Sequence, residues 1–249
     1  MIDVHIRFHA ELNDFLSAEQ KNQHIPVTLN NHPAVKDTIE SLGIPHTQVN
    51  VILVNGISVA FTYQLQTGDQ VDVYPFHHSP DGKQLIHLQP PLSRVLKFVL
   101  DTHLGKLASY LRMLGFDTLY RSDFSDDDLA EISEHEDRYL LTRDRGLLKR
   151  NIVSRGYHLG STNPREQLSE VVQRFELIDR IRPFRRCIAC NGKLSPVEKE
   201  AIQERLEPNT RRYYDDFFIC NQCGNIYWRG SHYQRMQQFV QQVLTANSA

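Results

Sequence analysis

The sequence predicts an α/β protein whose central part is a three-layer parallel-sheet domain, with a strand-rich α+β domain before it and a small cysteine-held module after it. Three observations carry this. Apolar runs alternate with helical stripes across residues 94–180, as they do where helices cover a parallel sheet. Residues 1–78 read instead as two strands, a helix and more strands, and all four cysteines lie beyond position 186 in two Cys-x-x-Cys pairs. The expected organisation is therefore 1–78, a connector over 79–93, 94–180 and 181–249.

The clearest stretch runs from Phe98 to Tyr120. Val95 to Leu100 suits a strand buried on both faces, and it stops at Asp101. Leu104, Leu107, Ala108, Leu111 and Leu114 then recur at helical spacing, with Thr102 as the expected cap and Gly115 as a left-handed stop. Lys106, Ser109 and Arg112 fall off the apolar stripe and are expected on a solvated face. Thr118 to Tyr120 begins a second strand, and so short a crossover implies parallel pairing.

Ser125 with Asp128 forms a capping-box pattern ahead of Leu129 and Ile132, and the carboxylates of Asp126 and Asp127 complement the helix dipole. Tyr139 to Thr142 is a further buried strand ending near Asp144. Arg145 to Arg150 reads as a short helix, Tyr157 to Leu159 as a strand, and Asn163-Pro164 as the start of a helix facing inward through Leu168, Val171, Val172 and Phe175.

In the first domain, Val4, Ile6 and Phe8 alternate with polar residues, and Ile25 to Leu29 offers a partner strand. Pro33 suits the first position of a helix through Val35, Ile39 and Leu42 that Gly43 ends. Val49 to Val54, the hairpin signal Asn55-Gly56 and Val71 to Tyr74 follow. This order resembles the β-grasp or ubiquitin-like fold, particularly its small sulfur-carrier branch. Those carriers act through a free carboxyl-terminal Gly-Gly. Here Tyr74-Pro-Phe-His-His-Ser-Pro runs on, so the expectation is a module that docks a protein partner. The connector holds Pro80-Asp-Gly and Pro90-Pro91, Leu85 to Leu88 as a candidate strand, and His77 and His78, expected to be solvated rather than ligating.

Charge is unevenly spread although the net value is only -2. Residues 1–80 carry three basic against eight acidic side chains, 81–180 fifteen against sixteen, and 181–249 ten against six. A basic tail points to a polyanion. No apolar run is long enough to cross a bilayer and the first residues alternate like a strand, so a cytoplasmic protein is expected.

Cys187-Ile-Ala-Cys190 and Cys220-Asn-Gln-Cys223 have the spacing of a closed tetrahedral zinc site, with the 29 residues between the pairs forming an excursion of their own. Four protein ligands leave no place for substrate, so the role is structural. Arg182, Arg185, Arg186, Arg211 and Arg212, with Tyr213, Tyr214, Tyr227, Trp228 and Tyr233, suit single-stranded RNA, or equally the small hydrophobic core of a zinc module.

Asp101 and Asp144 each follow an apolar strand, and in a parallel sheet both would project at the edge where ligands bind. Close carboxylates repel, and a divalent cation with a taste for oxygen, magnesium or manganese, turns that repulsion into a binding site able to serve phosphodiester cleavage. The rival reading is structural. Asp101 would cap its helix and Asp144 would pair with Arg143 or Arg145.

Phe98-Val-Leu-Asp-Thr-His-Leu-Gly-Lys-Leu, the later Leu-Leu-Thr-Arg-Asp-Arg-Gly-Leu-Leu and the tail Cys-Gly-Asn-Ile-Tyr-Trp-Arg-Gly-Ser-His-Tyr together resemble the Mut-seven C-terminal RNase family. The family is PIN-like with a zinc ribbon, and some members carry a ubiquitin-like domain. The resemblance implies a metal-dependent ribonuclease in which Asp101 and Asp144 are the strand-end acids, Thr142 supports the second, and Asp126 or Asp127 supplies a third. Lys106 and Arg112, with Arg143 and Arg145 beside the second acid, are the expected phosphate contacts. His232, in the Gly-Ser-His of the tail, is given no catalytic role. The alternative is a non-catalytic adaptor that binds RNA or docks a protein.

Overall fold

The computed structural model describes residues 1–78, 80 and 84–246. Chain order begins with β1 (Ile2–Phe8), β2 (Ile25–Leu29), α1 (Val35–Ser41), β3 (Val51–Val54), β4 (Ile57–Val59) and β5 (Gln70–Tyr74). Next come β6 (Lys97–Leu100), α2 (Gly105–Met113), β7 (Asp117–Leu119), α3 (Asp126–His135), β8 (Tyr139–Thr142), α4 (Arg145–Leu148), β9 (Gly156–His158) and α5 (Pro164–Arg174). The last part holds β10 (Leu194–Val197), α6 (Lys199–Ile202), α7 (Pro208–Tyr213), β11 (Phe217–Cys220), β12 (Ile226–Trp228) and α8 (Ser231–Ala246). None of the described helices is long and apolar enough to cross a membrane.

The chain forms two compact units, one of Met1–Arg94 with Phe124–Gly160, the other of Val95–Asp123 with Ser161–Ala249. In the first, the sheet order β2-β1-β5-β3-β4 places β1 parallel to β5 at its centre, the β-grasp arrangement. Ile2, Val4, Ile6 and Phe8 alternate into a core shared with Val35, Ile39, Val71 and Val73, so the period-2 pattern of β1 is what holds the helix on the sheet. Asn55 and Gly56 both have positive φ, the two-residue turn that matches strand twist between β3 and β4.

Several details differ from the sequence expectation. Helix α1 starts at Val35 after Ala34, so Pro33 lies outside it; no strand forms over Leu85–Leu88, where Leu88 N–H instead bonds the Asn50 carbonyl at 2.8 Å. His77 and His78 are exposed, as expected of solvated side chains, with His78 Nδ1 3.1 Å from a Glu11 carboxylate oxygen. Asp81 and Gly82 of the expected connector turn lie outside the described residues.

The same unit holds α3, β8, α4 and β9, with β8 and β9 parallel. Side chains of the β-grasp part reach this segment directly. His46, 8% exposed, faces the Glu40 carboxylate at 2.7 Å and the Val153 carbonyl at 3.0 Å; Lys149 donates to the Glu40 carbonyl at 2.6 Å; Gln48 bonds both Gly156 O and His158 N at 3.3 Å. These are fixed, part-buried contacts rather than a tether.

In the second unit, β6 and β7 pair in parallel across α2, which packs on α5, and the Phe98 ring meets Phe116 and Phe175 edge-on at 6.1 and 5.3 Å. Strand β6 begins at Lys97, whose register partner is Asp117, and Val95 is 70% exposed outside it, a correction to the expected Val95 start. Gly115 stops α2 at φ +98, and a Cβ there would lie 2.0 Å from the Arg182 carbonyl oxygen. That close passage brings residues 182–184 along the end of α2, with Arg182 N–H and Phe184 N–H bonding Leu114 and Met113 carbonyls at 3.0 Å. The antiparallel sheet β10-β11-β12 follows, over a small core of Ile202, Leu206 and Phe217.

Candidate functional site

Asp101 is the first residue beyond β6. Its side chain caps a 3-10 turn over Thr102–Leu104, accepting from Thr102 N–H at 2.5 Å, so the cap is Asp101 and not the expected Thr102. Asp144 stands two residues beyond β8 and caps α4, with Oδ1 accepting from Gly146 N–H at 2.6 Å and Leu147 N–H at 3.3 Å. Its own N–H donates to Thr142 Oγ1 at 2.9 Å, which ties the acid to the buried end of the strand. Asp144 is exposed, and its Oδ2 accepts no hydrogen bond from the described residues, leaving a hard oxygen donor of the kind magnesium and manganese take.

The acids of the α3 region are not equivalent. Asp128 completes the capping box with Ser125, Asp123 is held by Arg121, and Asp127 pairs with Arg150 at 2.5 Å. Asp126 is exposed in the first turn of α3. Hydrogen bonding to Asp127, then the nearby charges of Asp127, Asp126 and Asp144, raise the Arg150 pKa above its ordinary value, so one guanidinium senses all three carboxylates. Arg150 escaped the sequence reading because it follows a short helix with no motif of its own.

The expected phosphate contacts divide. Lys106 is exposed, its ammonium 5.3 Å from the Tyr110 ring centre, and Arg143 is exposed. Arg145 donates to the Phe15 carbonyl at 3.2 Å and lies 4.8 Å over the Phe15 ring. Arg112 does not face solvent at all, contrary to its place off the apolar stripe. It is 4% exposed and its guanidinium donates to the carbonyls of Thr118, Ile188 and Ala189 at 2.9, 3.1 and 2.8 Å.

The four cysteine sulfurs lie within 4.8 Å of one another, with Cys187–Cys223 at 3.7 Å and Cys190–Cys220 at 3.4 Å. A tetrahedral zinc with Zn–S near 2.3 Å needs sulfurs about 3.8 Å apart, so the donor set fits zinc. Burial pushes the Cys190 thiol up to about 12; for Cys220 burial acts the same way, but N–H groups of Cys223 and Gln222 overcome it and draw the thiol down to about 6. Four thiols so close cannot all ionise unaided, and a divalent cation removes the conflict. Tyr227 donates its hydroxyl to Cys187 Sγ at 2.9 Å. Burial, and then that sulfur, hold the phenol above its ordinary pKa, so it stays a donor.

Residues 96–240 match the family model described as the Mut7-C RNAse domain. The chain belongs to that family. Residues 1–81 match a second model, Mut7-C ubiquitin, in agreement with the β-grasp sheet. Membership in Mut7-C carries a nuclease-type function and RNA as the substrate class. Among solved structures, a putative molybdopterin converting factor, subunit 1, from Pyrococcus furiosus is similar at 22% identity, over 30% of this chain and 98% of that one, with a TM-score of 0.24. No curated protein matches the chain.

Within this Mut7-C chain, Arg112 joins α2 to the first cysteine pair, and Asn191 completes the joint. Its amide oxygen accepts from Thr118 N–H at 2.9 Å and its amide nitrogen donates to Asp117 at 2.8 Å, while Arg186 pairs with the other Asp117 oxygen at 3.0 Å. Burial lowers the Arg112 pKa, opposed by Cys190, Cys187 and Asp117. Replacing Arg112 by Met strands three carbonyls in a buried site, and we expect a loss on the order of 3 kcal/mol or more, read as a lower melting temperature and faster zinc release to a chelator. Arg112→Lys should rescue little, since a point donor cannot serve carbonyls on two sides.

His158, at the end of β9, is the other group that spacing did not reveal. Burial, and then the Arg145 guanidinium, depress its pKa from 6.5 to about 4; Phe15 packs on the ring at 5.0 Å. The unfolded chain binds the proton more readily than the folded one between those values, so stability is held above pH 6.5 and lost as pH falls toward 4. After allowance for partial solvent screening the loss is about 1–2 kcal/mol. Thermal melts without added divalent cation at pH 7 and pH 5 should show His158→Gln with a shallower pH slope than the parent.

Proposed function

We propose that the chain is a divalent-metal-dependent ribonuclease with a PIN-like, three-layer catalytic domain over 94–180, a ubiquitin-like domain over 1–78, a connector over 79–93 and a zinc ribbon over 181–249. The observation that carries the reading is the placement of Asp101 and Asp144, each just past the carboxyl end of a parallel strand, in a member of an RNase family. Asp101 and Asp144 would hold magnesium or manganese, with Asp126 the better candidate for a third acid, because Asp127 is bound to Arg150. The cation supplies positive charge at the scissile phosphate and a more acidic water. Thr142 fixes the backbone of Asp144, and Lys106 and Arg143 are the exposed cations that would meet neighbouring phosphates. In-line attack by water displaces the ribose 3′ oxygen, leaving a 5′-phosphate. Reduced thiols in the ribbon suit a cytoplasmic setting, and the ubiquitin-like domain suits a protein partner.

The second reading has an observation of its own: both acids cap helical turns, which a non-catalytic RNA-binding adaptor would also need. Incubation of purified protein with single-stranded RNA, with magnesium, manganese or excess chelator, separates the two. Cleavage with 5′-phosphate ends only in the presence of a divalent cation supports the nuclease; undiminished cleavage in chelator, or none with any cation, refutes it.

A further inference from the structure

Strand β12 ends in Tyr227 and Trp228, the chain turns at Gly230, and α8 begins. Two cavities, about 280 and 590 Å³, open on this turn and share Trp228, Tyr233 and Met236 as walls. Such volumes are of the order that holds a small flat ligand, roughly 300 Å³ upward.

Trp228 and Tyr233 stand outside the ribbon's core. That core is Ile202, Leu206 and Phe217, packed by Tyr214, Ile219 and Ile226, and Trp228 does not belong to it. Trp228 is 38% exposed, braced by Tyr214 at 6.5 Å, while Tyr233 packs on Phe184 at 4.6 Å. A Cβ at Gly230 would lie 2.9 Å from the indole nitrogen, so the missing side chain is what lets Trp228 sit over the turn. An indole left more than a third exposed on the wall of a shaped cavity is apolar surface that a ligand can cover.

Charge says which ligand. No carboxylate lines either cavity. Arg186 and Arg229 at the walls are answered by Asp117 and, at 3.8 Å, Asp216. Arg185 and Arg235 are exposed and have no acidic partner among the described residues. Two uncompensated guanidinium groups beside an aromatic wall suit a flat ring that carries an anion, which in a nucleic acid is an unpaired base with its phosphate.

We infer that the cleft between β12 and the first turns of α8 seats an unpaired nucleobase of single-stranded RNA, stacked on Trp228 and Tyr233, with Arg185 and Arg235 on the adjoining phosphates. This deepens the ribonuclease reading and rests on it for the choice of RNA.

Trp228 is the one tryptophan of the chain, so its fluorescence reports the cleft alone. The full-length zinc-loaded protein, without added magnesium or manganese, is titrated with a hexamer of oligoadenylate and with an abasic ribose-phosphate hexamer. Saturable quenching is expected, with the adenylate binding about 10-fold or more tightly than the abasic chain. Tyr233→Ala, which keeps the probe, should weaken adenylate binding about 10-fold, and Arg235→Gln should weaken both oligomers and flatten their salt dependence. Equal binding of the two oligomers, or displacement of RNA by an acidic peptide that quenches Trp228 better, overturns the inference. Cleavage of RNA by a protein whose Trp228 never responds overturns the inference and spares the nuclease; a base-dependent response in a protein that cleaves nothing does the reverse. Zinc content and far-UV circular dichroism of each variant show that a lost response is not lost folding.

Discussion

Asp144→Asn and Asp101→Asn should each lower RNA cleavage by about 100-fold or more while leaving the melting temperature within a few degrees of the parent. The substitution is chosen for what it preserves. Asn accepts the same N–H bonds as Asp at a helix start, so Thr102 N–H keeps its partner in one variant and Gly146 and Leu147 keep theirs in the other. What disappears is one negative charge and one strong oxygen ligand. A purely structural pair of caps predicts near-normal stability and no change in turnover, so the two readings part on activity rather than folding. Manganese should also raise the melting temperature of the parent and not of the variants, by the mass-action stabilisation that any native-state ligand confers. Full turnover in either variant, with stability retained, would remove that acid from the mechanism.

The places of both acids could be read because a strand buried on both faces writes itself as an unbroken apolar run, with Asp101 one residue beyond β6 and Asp144 two beyond β8. The β-grasp half was legible for a related reason: alternation in Ile2 to Phe8 and the Asn55-Gly56 turn are local signals. Arg112 was illegible in the same terms. Helical periodicity places it off the apolar stripe, and it is buried anyway, because the partners that cover it, the Ile188 and Ala189 carbonyls, lie more than seventy residues on. Periodicity describes one helix against one core; it carries nothing about a second surface on the other side. His158 was hidden likewise, since its low pKa depends on Phe15 and Arg145 meeting it from elsewhere in the chain. Arg145 itself looked like a phosphate ligand from its place beside Asp144. Its bond to the Phe15 carbonyl shows how a tertiary contact claims a side chain that a motif leaves open.

Removing zinc, by chelation or by Cys220→Ser, should unfold β10, β11 and β12 as one piece. The three buried residues of the ribbon core supply a few kcal/mol of burial between them, and structural zinc in modules of this size contributes apparent free energies on the order of 10 kcal/mol. The loss should then travel. Once the first cysteine pair is disordered, Arg112 loses two of its three acceptors and Asn191 can no longer hold Thr118 N–H, so the β7 edge is exposed in turn. Hydrogen exchange should therefore rise at Cys187–Trp228 first and at Asp117–Leu119 next, with a red shift in Trp228 emission, while Ile2–Tyr74, whose core shares no residue with the ribbon, keeps its protection. Stoichiometric zinc in the parent and its absence in Cys220→Ser complete the test. Should the metal-free protein keep a protected ribbon, packing and not coordination is what closes it, and the four sulfurs would need another reason to sit so close.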